Sequence, residues 1–200
     1  MPIQSIDDHN DEPSQKANKK GQRIYESLTE SDFVRLLENT KSSRHQVAFI
    51  LAYGSGLRIS EVTNLKPENI DLPGKRIFIR EGKGKKDRIV NTPKWLKEKH
   101  IKILPIKISE RALQAGFRRA SQRAGINSVI GSYQLMGKAI PIQKFHFHSL
   151  RHSYATRCIE NGVPLNQLQI LLGHENLTTT NRYTKANPKD AIQSVLDKGI

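Results

Sequence analysis

The side chains best able to do chemistry in this chain follow one another in a set order. Arg58 comes just after a glycine turn in Tyr53-Gly-Ser-Gly-Leu-Arg58-Ile-Ser-Glu61, and Lys83 stands between Gly82 and Gly84. His148 and Arg151 share the run His148-Ser-Leu-Arg151-His152, His174 closes Leu171-Leu-Gly-His174, and Tyr183 ends Thr178-Thr-Thr-Asn-Arg-Tyr183. A guanidinium is permanently charged and offers a planar fork to the paired oxygens of an oxyanion. An imidazole or a lysine can move a proton. A phenol, with a reference pKa of about 10, becomes a nucleophile when a neighbour accepts its proton or positive charge lowers its pKa. Taken singly, each residue has an ordinary structural reading; their order is what carries information.

Those side chains need elements to hold them. Thr29-Glu-Ser-Asp32 has the form of a capping box, with Phe33, Leu36 and Leu37 following at helical spacing. A second helix through Val47, Phe49, Ile50 and Leu51 stops at Gly54-Ser-Gly56, and a third carries Ile59 to Leu65. This places Arg58 at a helix start, with Glu61 one turn on. Arg76 to Arg80 and Asp87 to Asn91 alternate like strands, and Gly82-Lys-Gly84 supplies a hairpin turn with Lys83 at its tip. Further helices are expected around Trp95 to Ile101, from Ser109 to Ala124, from His148 to Asn161 and from Pro164 to Leu172. His148 and Arg151 then lie three apart on neighbouring positions of one helix face. Residues 126–142 show no clear period and read as a DNA-facing loop or a small hairpin. Pro188 to Leu196 puts Ala191, Ile192, Val195 and Leu196 on one stripe, an amphipathic helix whose apolar face needs a groove. The expected fold is mainly α with a small antiparallel β-sheet.

Composition narrows the partner. The 200 residues hold 33 Lys and Arg against 19 Asp and Glu, a formal charge of +14, and 36% apolar residues. Such a balance favours a polyanion. The excess is concentrated between Lys75 and Lys102, with eleven basic and three acidic residues, so Arg80, Lys85, Lys86 and Arg88 are expected on a phosphate-facing surface. A charge excess alone equally suits a face kept basic for solubility. No run approaches the roughly 20 apolar residues that span a bilayer, the polar N-terminus has no signal pattern, and a single Cys158 excludes an intrachain disulfide. A cytoplasmic, nucleoid-associated protein is expected.

At this point the sequence closely resembles the tyrosine recombinase (phage integrase) family, through G-L-R-I-S-E, G-K-G-K-K-D-R, H-S-L-R-H and L-L-G-H followed by T-T-x-x-Y, from about Leu28 to Asp197. The resemblance implies the DNA breaking-rejoining catalytic fold over residues 28–187, followed by a helical C-terminal tail (188–200) that docks on a neighbouring protomer; residues 1–27, whose first 22 hold almost no large apolar side chain to offset their ordering, are expected to be a disordered tail. The match is to the short, single-domain members, or to a fragment of a longer one. It also implies that Tyr183 attacks a phosphodiester of double-stranded DNA to leave a 3′-phosphotyrosyl bond. Negative charge developing on the nonbridging oxygens suits Arg58 and Arg151, and His148 is best placed to assist the phenol. Lys83 matches the general acid for the departing 5′ oxygen, with Lys85 and Lys86 as rivals; His174 would hydrogen-bond the phosphate and Glu61 hold the arginine and histidine network. The bond energy is conserved, so no cofactor and no metal is expected, consistent with the absence of a P-loop motif. Exchange would require self-association on DNA, with a tetrameric synapse and a monomer or dimer when free.

A zinc site from His146, His148, His152 and Cys158 lacks a paired-cysteine motif and has an arginine between its histidines. Tyr183 alone would be a core aromatic, and the lysines at Gly82 and Gly84 a solvated strand edge. Within the same chemistry, a type IB topoisomerase-like relaxing enzyme and a noncatalytic DNA-binding relative remain alternatives.

Overall fold

The computed structural model describes residues 26–80, 87–173 and 188–200. Most of the expected disordered tail, and Lys83, Lys85, Lys86, His174 and Tyr183, lie outside the described residues. Helix α1 (Glu30–Glu38) starts as its capping box dictates: the Thr29 hydroxyl accepts from the Asp32 backbone at 3.1 Å, and the Thr29 amide donates to the Asp32 carboxylate at 3.2 Å. Phe33 and Leu36 of α1 pack on α2 (Ser43–Ser55), the central helix, which is buried without a break from Val47 to Ser55. A helix apolar on every side must be surrounded. It contacts α1, α3 (Ile59–Asn64), α5 (Glu110–Arg123) and α6 (Phe147–Glu160).

Helix α2 ends at Gly56, whose φ of 65° is open to glycine at little cost. A Cβ there would also come within 2.5 Å of the Tyr154 ring. The turn throws the chain sideways and delivers Arg58 to the N-cap of α3. A 3-10 turn (Pro67–Asn69) leads into β1 (Ile70–Asp71), which extends the expected hairpin of β2 (Arg76–Ile79) and β3 (Arg88–Asn91) to three antiparallel strands. Ile77 and Ile79 point into the core, opposite Val90 and Arg88.

Two expectations need correction, and a third is narrowed. Trp95 precedes rather than joins a helix: the turn from Pro93 to Leu96 holds its ring edge-on to Phe33 at 5.1 Å, and α4 covers only Glu98–Ile101. Of the two readings of residues 126–142, the small hairpin is the one formed: β4 (Val129–Leu135) and β5 (Lys138–Gln143), closed by the two-residue turn Met136-Gly137 with both φ positive. Asn127 fastens its root by exchanging two 2.9 Å hydrogen bonds with the Phe145 backbone. Finally, α6 begins one residue early, with His146 as N-cap.

The core has two parts. The larger runs from Leu28 to Leu150; the smaller joins Tyr154 and Cys158 of α6 to α7 (Leu165–Leu172) and α8 (Pro188–Asp197). The groove required by α8 is thus found on its own chain: Ala191, Ile192 and Val195 are buried against α7 and β3. Each large apolar side chain so buried contributes about 1.5–3 kcal/mol. No helix among the described residues is long and apolar enough to cross a membrane.

Candidate active site

The last carbonyls of a helix have no partner within it and form the negative end of its dipole, so they attract cations. At the end of α7 this is met by three arginines from three elements. Arg88 of β3 donates from Nε to the Leu171 carbonyl at 2.8 Å, Arg151 of α6 from Nη2 to Leu172 at 2.6 Å, and Arg58 from Nη2 to Gly173 at 2.9 Å. Gly173 is the left-handed cap of α7, with a φ of 61°. Arg151 also donates from Nη1 to the Gly56 carbonyl at 2.5 Å, so both glycine turns are fastened to it.

Glu61 supplies the matching anion. Its Oε2 accepts from the Arg58 backbone amide at 2.8 Å and its Oε1 from Arg58 Nη1 at 2.9 Å; Arg88 meets both oxygens, each at 2.7 Å. Two guanidiniums thus share the one Glu61 carboxylate. Arg88 overturns the expectation that it faces DNA: its side chain is 7% exposed and its guanidinium is committed to Glu61 and Leu171. Arg80, just past β2, is exposed.

Arg58, His148 and Arg151 line one cavity of about 560 Å³. The lining also includes residues that sequence does not reveal: Arg111, Gln114 and Arg118 of α5, exposed on one helix face at spacings of three and four. In sequence this stripe reads as a solvated helix face, because nothing local shows that it faces the arginine cluster. Among the described residues the cavity lining carries no carboxylate, and its charged groups are arginines.

That field sets the protonation states. Burial, then the positive charges of Arg151, His146, His152 and Arg58, push His148 below the ordinary imidazole value, leaving it neutral at neutral pH and able to accept a proton. Burial and the neighbouring Arg58 lower Arg151 to about 10, so it stays charged at neutral pH. Burial alone would raise Glu61, but hydrogen bonds and charge from Arg88 and Arg58 outweigh it and bring the carboxyl down to about 2. Burial pushes Tyr53 up to about 12, Cys158 to about 11, and Tyr154 also upward, so these groups are poor nucleophiles. Among the described residues no three His, Cys, Asp or Glu side chains are grouped to hold a metal ion.

These shifts predict the acid response of the fold. The folded pKa of His148 lies below its unfolded value of 6.5, so the unfolded chain takes up the proton first. Its contribution is complete above pH 6.5 and is lost as pH falls through the folded pKa. Glu61, lowered from 4.5 to about 2, contributes above pH 4.5 and loses about 3 kcal/mol as pH falls between those values. Urea midpoints between pH 7.5 and 5 are expected to drop more for the wild type than for His148→Asn; equal drops would contradict the assignment.

The comparisons with known proteins address the family and the fold. The model of the phage integrase family matches residues 26–190. The tyrosine recombinase XerA of Thermococcus kodakarensis is 36% identical over 174 residues, 85% of this chain and 61% of that protein. A tyrosine recombinase of Pseudothermotoga lettingae is 33% identical over 205 residues, all of this chain and 71% of that one. In structure, the integrase of mycobacterium phage Brujita superposes with a TM-score of 0.63 at 22% identity, over 88% of this chain and 59% of that one, which supports the fold. The chain spans about three-fifths of the length of the XerA relatives it matches. With the family match covering most of its length and its arginine cluster built as described, the chain belongs to the phage integrase family of tyrosine recombinases.

Proposed function

We propose that this protein cuts and rejoins duplex DNA at specific sites through a covalent 3′-phosphotyrosyl intermediate. The observation that carries this reading is the meeting of Arg58, at the start of α3, with Arg151 and a neutral His148 of α6 in a cavity whose described lining holds no carboxylate. A scissile phosphate there would have its nonbridging oxygens bound by the two guanidiniums, which carry more donors than the carbonyls of Gly173, Leu172 and Gly56 use. In the cutting step the Tyr183 oxygen bonds to phosphorus and the bond to the 5′ oxygen breaks. His148 takes the phenolic proton, Lys83 gives a proton to the 5′ oxygen, and His174 hydrogen-bonds the phosphate. Rejoining reverses these transfers. Arg80, Lys85 and Lys86 on the strand side, and Arg111, Gln114 and Arg118 on α5, would meet the flanking DNA.

In this reading residues 28–187 form the catalytic unit and one strand is cut per active site, so exchange needs several protomers on paired sites, a tetrameric synapse. Helix α8 closes the small core of its own chain in the free protomer and is the segment able to transfer to a neighbour. The protein would work where its DNA lies, at the nucleoid.

A pool of duplexes nicked beside random sequence tests the proposal, because a released 5′ fragment traps the covalent intermediate. Trapped adducts, and exchange between two copies of the recovered site, are expected. Adducts with plasmid relaxation but no exchange would indicate a type IB topoisomerase-like enzyme, and binding without adducts a noncatalytic relative.

A further inference from the structure

We propose that Arg88 is a positioning residue of the active site, which holds Glu61 and the end of α7 so that the charge of Arg58 stays available to the phosphate. The inference rests on the functional reading above. Its geometry is independent of that reading. Glu61 takes four hydrogen bonds, two from Arg58 and two from Arg88, so neither arginine has the carboxylate to itself. One carboxylate between two guanidiniums leaves the trio with a net positive charge. Without Arg88, Glu61 would pair with Arg58 alone and cancel the charge that the phosphate needs.

Arg88 also ties two parts of the site together. Its Nε bonds the Leu171 carbonyl, one helical position before the carbonyl that Arg151 holds and two before that held by Arg58. Its shaft passes directly beneath the α7 cap: a Cβ on Gly173 would come within 3.1 Å of Arg88 Cδ and 3.3 Å of Nε. At 7% exposure, the side chain cannot reach a DNA backbone lying on the surface. It is the first residue of β3, the strand that follows Lys83 in sequence, so it joins the base of that strand to the arginine cluster.

The test compares wild type, Arg88→Ala and Arg88→Lys on the duplex recovered from wild-type adducts. A positioning role predicts affinity within about twofold of wild type with an unchanged salt slope, because no phosphate contact is removed. Adduct formation at saturating DNA is expected to fall about a hundredfold in Arg88→Ala, and less in Arg88→Lys, which keeps the charge but not the fork. Weaker affinity with a shallower salt slope and an unchanged saturated rate would make Arg88 a DNA contact and overturn the proposal, as would no change in either. A readout without DNA is the carboxyl titration of Glu61 by carbon NMR, which starts at about 2 and should move up in both variants. An unmoved titration would equally overturn it. If wild type gives no adduct, the functional reading fails by itself, and the Glu61 titration still reports whether Arg88 governs the carboxylate.

Discussion

Tyr183→Phe is expected to abolish the covalent DNA adduct, a loss of at least about 10⁴-fold, while duplex affinity stays within about twofold. The substitution removes one oxygen, the atom proposed to bond to phosphorus, and leaves the ring. Of the described phenols, Tyr53 and Tyr154 are not ready substitutes. Tyr53 is fully buried, lies against the Arg157 guanidinium and is held up at about 12. The Tyr154 hydroxyl, also fully buried, donates to Asn91 at 2.8 Å. Gel-shift affinity measured beside denaturing-gel adduct yield separates the outcomes. An adduct that survives in Tyr183→Phe would assign the nucleophile elsewhere; loss of affinity together with the adduct would make Tyr183 a DNA contact.

Arg151→Ala should lower both activity and stability, because the same guanidinium serves both. It is 6% exposed and joins the carbonyl of Gly56, the cap of α2, to that of Leu172, the last residue of α7. Losing two charge-assisted hydrogen bonds and leaving their carbonyls without a donor costs roughly 3 kcal/mol. Removing one preorganised donor from a developing oxyanion costs about 10²–10³-fold in rate. Arg151→Lys keeps the charge but cannot reach two carbonyls at once, so it should recover stability only in part and remain slow. Urea unfolding and adduct formation at saturating DNA measure the two effects. Full activity in Arg151→Lys would contradict the bidentate role.

The parts of this arrangement that sequence revealed are those set by local rules. The capping box at Thr29, the glycine stop of α2 and the amphipathic stripe of α8 are all realised. The order of the motifs identified Arg58, His148 and Arg151, which the fold brings to one cavity. What stayed hidden depends on distant contacts. Arg88 sits in a basic stretch and looks like a solvated strand residue, and only the placement of Glu61 and α7 beside β3 shows that it is buried. Arg111, Gln114 and Arg118 look like an ordinary wet helix face until α5 is set opposite α6. The β4–β5 hairpin eluded periodicity because its apolar residues, among them Ile130, Leu135 and Met136, are exposed rather than packed in a core. Trp95 reads as helical because Leu96 and Ile101 follow at workable spacing, but Pro93 and the packing on Phe33 favour a turn.

The most direct test is to identify the atom that carries the DNA. Adduct trapped on a nicked duplex, trimmed with nuclease and protease, is read by tandem mass spectrometry. The expected product is the peptide containing Tyr183 joined through its phenolic oxygen to a 3′-phosphate. Linkage through another side chain, or to a 5′-phosphate, would contradict the account.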